Sequence, residues 1–260
     1  MIRGSMALAL FCIAALAAGV PGQEAWEEGR RHFGNEDYKR AQKSLEQAVR
    51  KNPGSSKFHF WLGLAMGRRA ESMTGFGRFR AMGLAKKVKV QFERAAQLDG
   101  SNLDALEALQ NFHFEAPGIV GGNKAEARKL ADRIKQLDKA RGAIAWARCY
   151  KHDKDFKNAA AQYALARKLA PDNTEFLAEH AAFLSTRRQH GESDELFDAA
   201  FERDPDNREL WLTAAKSWIG AKRPSLYPRA RKLLERFLEN AKSVPHLDTP
   251  SQVRKLLKKL

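Results

Sequence analysis

Residues 156–171, FKNAAAQYALARKLAP, and residues 190–205, HGESDELFDAAFERDP, are one pattern written twice. Ala159, Tyr163, Ala166 and Pro171 of the first stretch fall on Ser193, Phe197, Ala200 and Pro205 of the second, each 34 positions on (193 − 159 = 34; 205 − 171 = 34). A small residue, an aromatic four positions later and a second small residue three beyond that share one face of a helix. The closing proline ends that helix, because it has no N–H to donate. Self-similarity at this period predicts helical hairpins, each burying its apolar stripe against the next rather than around one large core.

The same frame reads outward in both directions. Toward the N-terminus, Gly29, Tyr38, Ala41, Leu45, Ala48 and Pro53 make a first unit within Trp26–Pro53. A second unit runs from Ser56 to Gly100, with Gly63 at the small contact position, Phe92 and Ala95 in its second helix, and Gly100 in place of the closing proline. It spans 47 residues from Pro53 to Gly100, 13 more than the period, and the excess falls in Glu71–Lys87. That segment mixes Met73, Phe76, Phe79 and Met82 with Arg78, Arg80, Lys86 and Lys87, and predicts an extended helical hairpin or lid. A third unit, Leu103–Asp138, carries Leu103, Leu106, Leu109 and Phe112, breaks at APGIVGG (116–122), and restarts at Ala125. Beyond the central pair, Arg208–Asn240 supplies Trp211, Ala214, Ala215 and Trp218, then Ala230, Leu234 and Phe237, with Pro224 and Pro228 lengthening the turn. In the tail, Thr249–Gln252 reads as a capping box. Val253, Leu256, Leu257 and Leu260 form an apolar face opposite Arg254, Lys255, Lys258 and Lys259, which predicts a closing helix.

On these residues the chain resembles the tetratricopeptide-repeat proteins; Trp211, Ala214, Ala215 and Trp218 stand close to that family's Trp-x-x-Leu-Gly-x-x-Tyr. Gly63, Leu84–Lys87 and the APGIVGG loop are together similar to an exported bacterial subgroup. The resemblance implies an all-α, right-handed superhelical solenoid. Residues 23–240 would form about six hairpins with insertions near 71–87 and 116–122, and residues 241–260 a linker and capping helix. It also implies a surface for binding other molecules, which carries no chemistry of its own.

Charge and the N-terminus suggest where that surface works. The 260 residues hold a formal net charge of +15, enough to attract anionic partners over a distance. Arg3 followed by the uncharged, apolar Met6–Val20, rich in alanine toward its end, reads as a cleaved secretory signal over residues 1–22. Its 15 residues fall short of the roughly 20 that span a bilayer as a helix. A periplasmic or secreted protein is therefore expected, and nucleic acid is not an expected partner. Cys12, preceded by the bulky Phe11, lacks the small neighbour of a lipidation site. Once the signal is removed Cys149 is the only thiol and reads as a small packed hydrophobe.

No catalytic, cofactor or metal site is expected. The seven histidines are scattered without metal-ligand spacing, and His152 and Asp153, adjacent on a helix, point about 100° apart. The glycines of 118–122 could cradle a phosphate, but no strand precedes them and no Lys-Ser/Thr follows, so a simple turn is the better reading. The Glu71–Lys87 segment could lie on an anionic membrane, although packing on its neighbouring repeat is favoured.

The resemblance places the first helix of each hairpin along a groove. The inward positions map onto Trp26, Arg30, Phe33, Lys57, Phe60, Arg68, Glu107, Asn111, Arg141, Ile144, Arg148, Lys151, Lys216 and Ile219. Basic groups predominate with apolar ones between them, which suits an acidic peptide with apolar anchors; alternatively the basicity is a share of the global excess. The Lys/Asn pairs that clamp a C-terminal carboxylate do not recur. The expected function is a non-enzymatic protein–protein interaction scaffold in the cell envelope. The second expectation is an envelope-surface protein that binds anionic lipid or glycan through its charge.

Overall fold

The computed structural model describes residues 20–73, 77–239 and 250–260, and all of their side chains except those of residues 78 and 79. The secretory signal and the Thr249 end of the capping box fall almost wholly outside these residues. Among the described residues the protein is all-α, with thirteen α-helices and two short 3-10 turns. The helices are α1 Gln23–Gly34, α2 Tyr38–Lys51, α3 Ser56–Glu71, α4 Gly77–Leu98, α5 Leu103–Glu115, α6 Lys124–Leu137, α7 Lys139–His152, α8 Phe156–Leu169, α9 Thr174–Thr186, α10 His190–Arg203, α11 Arg208–Gly220, α12 Tyr227–Glu239 and α13 Pro250–Leu257. They pack as successive hairpins, and the chain divides into two compact units.

Local chemistry sets the boundaries. Asp37, Ser55, Asn102, Asn123, Asp138, Asp155, Asn173 and Asn207 each accept a backbone N–H of the helix they precede, satisfying a donor that has no partner within the helix. At the ends of α7, α9 and α11 the chain turns through a left-handed residue, Lys154 (φ 62°), Arg188 (φ 62°) and Lys222 (φ 54°).

The first unit comprises residues up to Phe33 and Asp37–Gly100. Gly29 and Gly63, 34 apart, make the close approaches: a Cβ on Gly29 would lie 2.5 Å from Cγ of Leu45, and one on Gly63 2.6 Å from the Phe92 ring. Phe33 meets Tyr38 at 5.3 Å and Trp61 at 5.7 Å between ring centroids, each edge to face, and Phe58 stacks on Trp26. The extra length of this repeat lies in the helices themselves, 16 residues in α3 and 22 in α4 against 12–14 in α1 and α2. Of the residues singled out there, Phe76 and the side chains of Arg78 and Phe79 lie outside the described set.

The second unit comprises Ser101–Leu260 with Gly34–Glu36. Its core runs through Tyr163, Phe197, Trp218, Leu234 and Phe237 to Val253 of α13, so the last helix caps the stack with its apolar face. Between α5 and α6 the 116–122 loop forms a 3-10 turn over Gly118–Val120. The N–H groups of Val120 and Gly122 donate to the Pro117 carbonyl and that of Gly121 to Gly118. Three of its N–H donors are thereby held within the loop, which forms a turn.

Candidate functional site

In the first unit the expected groove residues divide. Trp26 and Phe33 are 7% and 1% exposed and belong to the core, which corrects their assignment to a binding face. Their rings fill the space between α1, α2 and α3, where burying an aromatic outweighs presenting it. Arg30 lies over both Trp26 (4.7 Å) and Trp61 (4.8 Å), and the Lys57 ammonium lies 3.9 Å from the Trp26 centroid while donating to Oε1 of Gln23. These cations roof the aromatic cluster through cation–π attraction. Phe60 is half-buried against Phe92, and Arg68 pairs with Glu71 at 3.0 Å.

In the second unit two of the expected basic residues on α7, Arg141 and Arg148, are already paired. The Arg148 guanidinium donates to both carboxylate oxygens of Glu179 on α9, at 3.0 and 2.7 Å, and reaches Glu107 of α5 at 3.4 Å. Tyr163 from α8 donates its hydroxyl to the same Glu179 at 3.0 Å. Arg141 reaches Glu107 at 3.2 Å and Asp104 at 3.3 Å. Burial works against the charge on Arg148, but Glu179 and then Glu107 more than offset it and its pKa is raised. Burial likewise works against the Glu179 carboxylate, and Arg148 overrides it, so that this carboxyl stays below its ordinary range. Burial, with Glu209 and Glu107 nearby, raises Glu175. Around these two arginines the face is therefore not basic, because at least as many carboxylates share it. A guanidinium held this way is committed: leaving its carboxylate buried and unpaired costs about 3–5 kcal/mol. The network staples three hairpins together. Ile144 is buried, Ile219 packs against the core, and Asn111 and Lys151 are exposed.

The reading of a groove from sequence missed Glu179, Glu175 and Glu209, and a signal for two of them was present. Glu107, Arg141, Glu175 and Glu209 occupy one position of the repeat (141 − 107 = 175 − 141 = 209 − 175 = 34). Charges of both signs in one register predict pairing along the stack.

Lys216 has a different setting. It lines a cleft of about 900 Å³ between α9 and α11, with Arg188, Lys222 and His190 on its wall and no acidic residue among those that line it. That size stands at the upper end of the range of about 300–1,000 Å³ usual for ligand sites. Arg188 and Lys222 are exposed, as is Lys216, and Nδ1 of His190 is buried without a hydrogen-bond partner. Asp194, four residues beyond His190, is taken by Arg223 in a two-pronged pair at 2.6 and 2.7 Å, while Glu192, two residues beyond His190, is exposed. Ser185, Thr186 and Ser217 donate their hydroxyls to backbone carbonyls, which leaves their oxygens as acceptors.

Cys149 is buried beside Gln110, and burial pushes its thiol up to about 11, the state of an inert packed side chain.

The comparisons agree with the repeat frame. A tetratricopeptide-repeat family model matches residues 27–66. Among solved structures the chain is similar to TTC0263, a thermophilic tetratricopeptide-repeat protein of Thermus thermophilus, with 16% identity and a TM-score of 0.57 over 76% of this chain and 99% of that one. It is similar to a tetratricopeptide-repeat protein from Parabacteroides merdae, with 14% identity and a TM-score of 0.52 over 92% and 98%. It is also similar to Pseudomonas aeruginosa pilF, with 15% identity and a TM-score of 0.50 over 84% and 92%. At these identities the likeness shows the fold, a tetratricopeptide-type helical solenoid. No curated protein matches the sequence.

Proposed function

We propose that this protein is a non-enzymatic interaction scaffold of the cell envelope, which holds a protein or peptide partner on the first-helix face of its second unit. Tetratricopeptide-repeat proteins are in general protein-interaction scaffolds that bind protein or peptide partners, and the repeat fold is in general non-catalytic. The observation that carries the reading here is the cleft between α9 and α11, to which an expected groove residue, Lys216, contributes. The basic residues Arg141 and Arg148 brace the stack beside it and are not its ligand-binding groups. The envelope location rests on the signal-like residues 1–22. No helix among the described residues is long and apolar enough to cross a membrane.

A second reading, attachment to anionic lipid, has one observation in its favour. On α4 the exposed Met82 and Val90 share a face with exposed Lys86, four residues apart in each step, as on a helix that lies on a headgroup layer.

Cross-linking in an envelope extract at physiological ionic strength separates the two. The scaffold predicts a protein partner that is captured by the mature chain and lost when Lys151, Lys216 and Lys222, all exposed, are changed to alanine. Binding to anionic vesicles is expected to vanish at that salt, where the screening length is about 8 Å. Vesicle binding that persists while no protein is captured would overturn the reading.

A further inference from the structure

We infer that a second cleft, at the N-terminal end of α12, binds an acidic protein segment that carries an apolar anchor, with Arg231 and Lys232 holding its carboxylates. It shares no lining residue with the cleft between α9 and α11, and so goes beyond the scaffold reading by adding a contact surface of its own.

The cleft is built by a departure from the repeat. Three residues join α7 to α8 (153–155) and α9 to α10 (187–189), but six, 221–226, join α11 to α12. The added length carries Pro224, and Tyr227 and Pro228 follow it; these three and Leu260 form an apolar wall around about 450 Å³. That volume lies within the range of about 300–1,000 Å³ usual for ligand sites. Proline fixes its own backbone, so a wall with two of them is ordered before a ligand arrives and costs little to order on binding.

The charges on this wall reverse those of the hairpin before it. The longer turn moves the register of α12 from 34 to 37 residues, so that the buried Ser193, Phe197 and Ala200 of α10 correspond to the buried Ala230, Leu234 and Phe237 (230 − 193 = 234 − 197 = 237 − 200 = 37). By the same step Asp194 and Glu195 become Arg231 and Lys232, whereas Asp198 becomes Glu235. On α10 these positions receive the following hairpin: Asp194 accepts from Arg223 and Asp198 from Arg229. On α12 the equivalent residues are exposed, and among the described residues the side chains of Arg231, Lys232 and Glu235 make no hydrogen bond or ion pair. What the stack itself brings to Asp194 is a cation; what fits Arg231 and Lys232 is an anion. The nearby charges leave that sign in place. Counting the Leu260 main-chain carboxyl as an acid beside Glu235, Arg231, Lys232 and the exposed Lys258 and Lys259 still outnumber the acids four to two. The positive end of α12 and the negative end of α13, each about half a charge, offset one another.

Three features of the cleft select a peptide. Its two cations take carboxylates, its apolar wall takes a side chain such as leucine, and Glu235 is an acceptor that needs a donor. A peptide supplies all three, since its backbone N–H groups can serve Glu235. A lipid phosphate brings acceptors only, and an acidic glycan brings no apolar anchor.

The test uses fluorescence anisotropy at physiological ionic strength, where charges beyond about 8 Å are screened. The protein is the chain lacking residues 1–22, and the probe is a fluorescein-labelled six-residue peptide of alternating glutamate and leucine. Two control peptides replace glutamate with glutamine or leucine with alanine. Arg231→Glu/Lys232→Glu reverses the charges of the cleft, and Lys157→Glu/Lys168→Glu, both exposed on α8, makes the same change in net charge elsewhere. We expect the cleft pair to weaken binding about fivefold or more and the α8 pair about twofold or less. Both control peptides should bind more weakly than the probe to the unaltered chain. Circular dichroism melting checks folding, and Arg231→Gln/Lys232→Gln takes the place of the cleft pair if that pair does not fold. Equal weakening by the cleft and α8 pairs would refute the site. So would phosphatidylglycerol vesicles that bind through Arg231 and Lys232 while the peptide does not. Peptide binding that survives the cleft pair but is lost with Lys151→Ala/Lys216→Ala/Lys222→Ala would assign the peptide to the first-helix face, leaving the scaffold reading standing and removing only this site.

Discussion

His180 shows at the scale of one residue how the stack restricts its chemistry. It is 3% exposed, stacks nearly flat on Tyr163 at 5.5 Å, and its Nδ1 has no hydrogen-bond partner. Burial, and to a lesser degree the Arg167 charge, pushes its pKa down to about 4. The folded protein thus refuses a proton that the unfolded chain accepts near the ordinary value of about 6.5. The neutral ring's contribution to stability is complete above pH 6.5 and is lost as the pH falls from there through 4. The melting temperature should decline across that window, and His180→Phe, which keeps a stacking ring but cannot titrate, should decline less steeply. Parallel curves for the two proteins would show that another group governs that window. In sequence this histidine is one of seven scattered without metal-ligand spacing; its depressed pKa comes from burial and from Arg167 on α8, which only folding brings to it.

Close approach between helices is decided at the scale of the element. A Cβ on Gly142 of α7 would fall inside van der Waals contact with the Lys135 backbone of α6, whereas a Cβ on Gly67 within α3 would meet nothing within 4 Å. Both glycines are helical and neither has a positive φ. Gly142→Ala should destabilise the protein by about 1–3 kcal/mol through overpacking. Gly67→Ala should stabilise it by about 0.5–1 kcal/mol, because only the helix propensity changes. Urea denaturation of the two variants checks both signs. The periodicity distinguishes some of these glycines: Gly29 and Gly63 stand 34 apart and read directly as contact positions. Gly142 has no glycine at either step, since positions 108 and 176 are alanine and phenylalanine, and its role depends on how α7 crosses α6.

On the scale of the whole molecule, stability is a sum of neighbouring contacts within each unit. Tyr163 is 1% exposed and touches His180 and, at 5.0 Å, Phe183, besides donating to Glu179. Tyr163→Ala should cost about 3–5 kcal/mol by opening a cavity between repeats. Hydrogen exchange should then show faster opening of α7–α10 with little change in α1–α4; equal loss in both units would argue against two compact units. The pairing of helices into hairpins and the apolar positions of the core could be read from the 34-residue step, because burial of a helix face leaves a periodic trace in the chain. The closing face of α13, with Val253 buried, is legible for the same reason. What each charge meets was settled only by folding. Arg148 and Lys216 occupy the same position of the repeat, 68 residues or two steps apart, and read alike in sequence. One is buried and held by Glu179 and Glu107, and the other is exposed at the wall of the cleft between α9 and α11. Electrostatic fate depends on distances of a few ångströms between residues 31 to 41 positions apart, and a chain has no such distances until its helices are stacked.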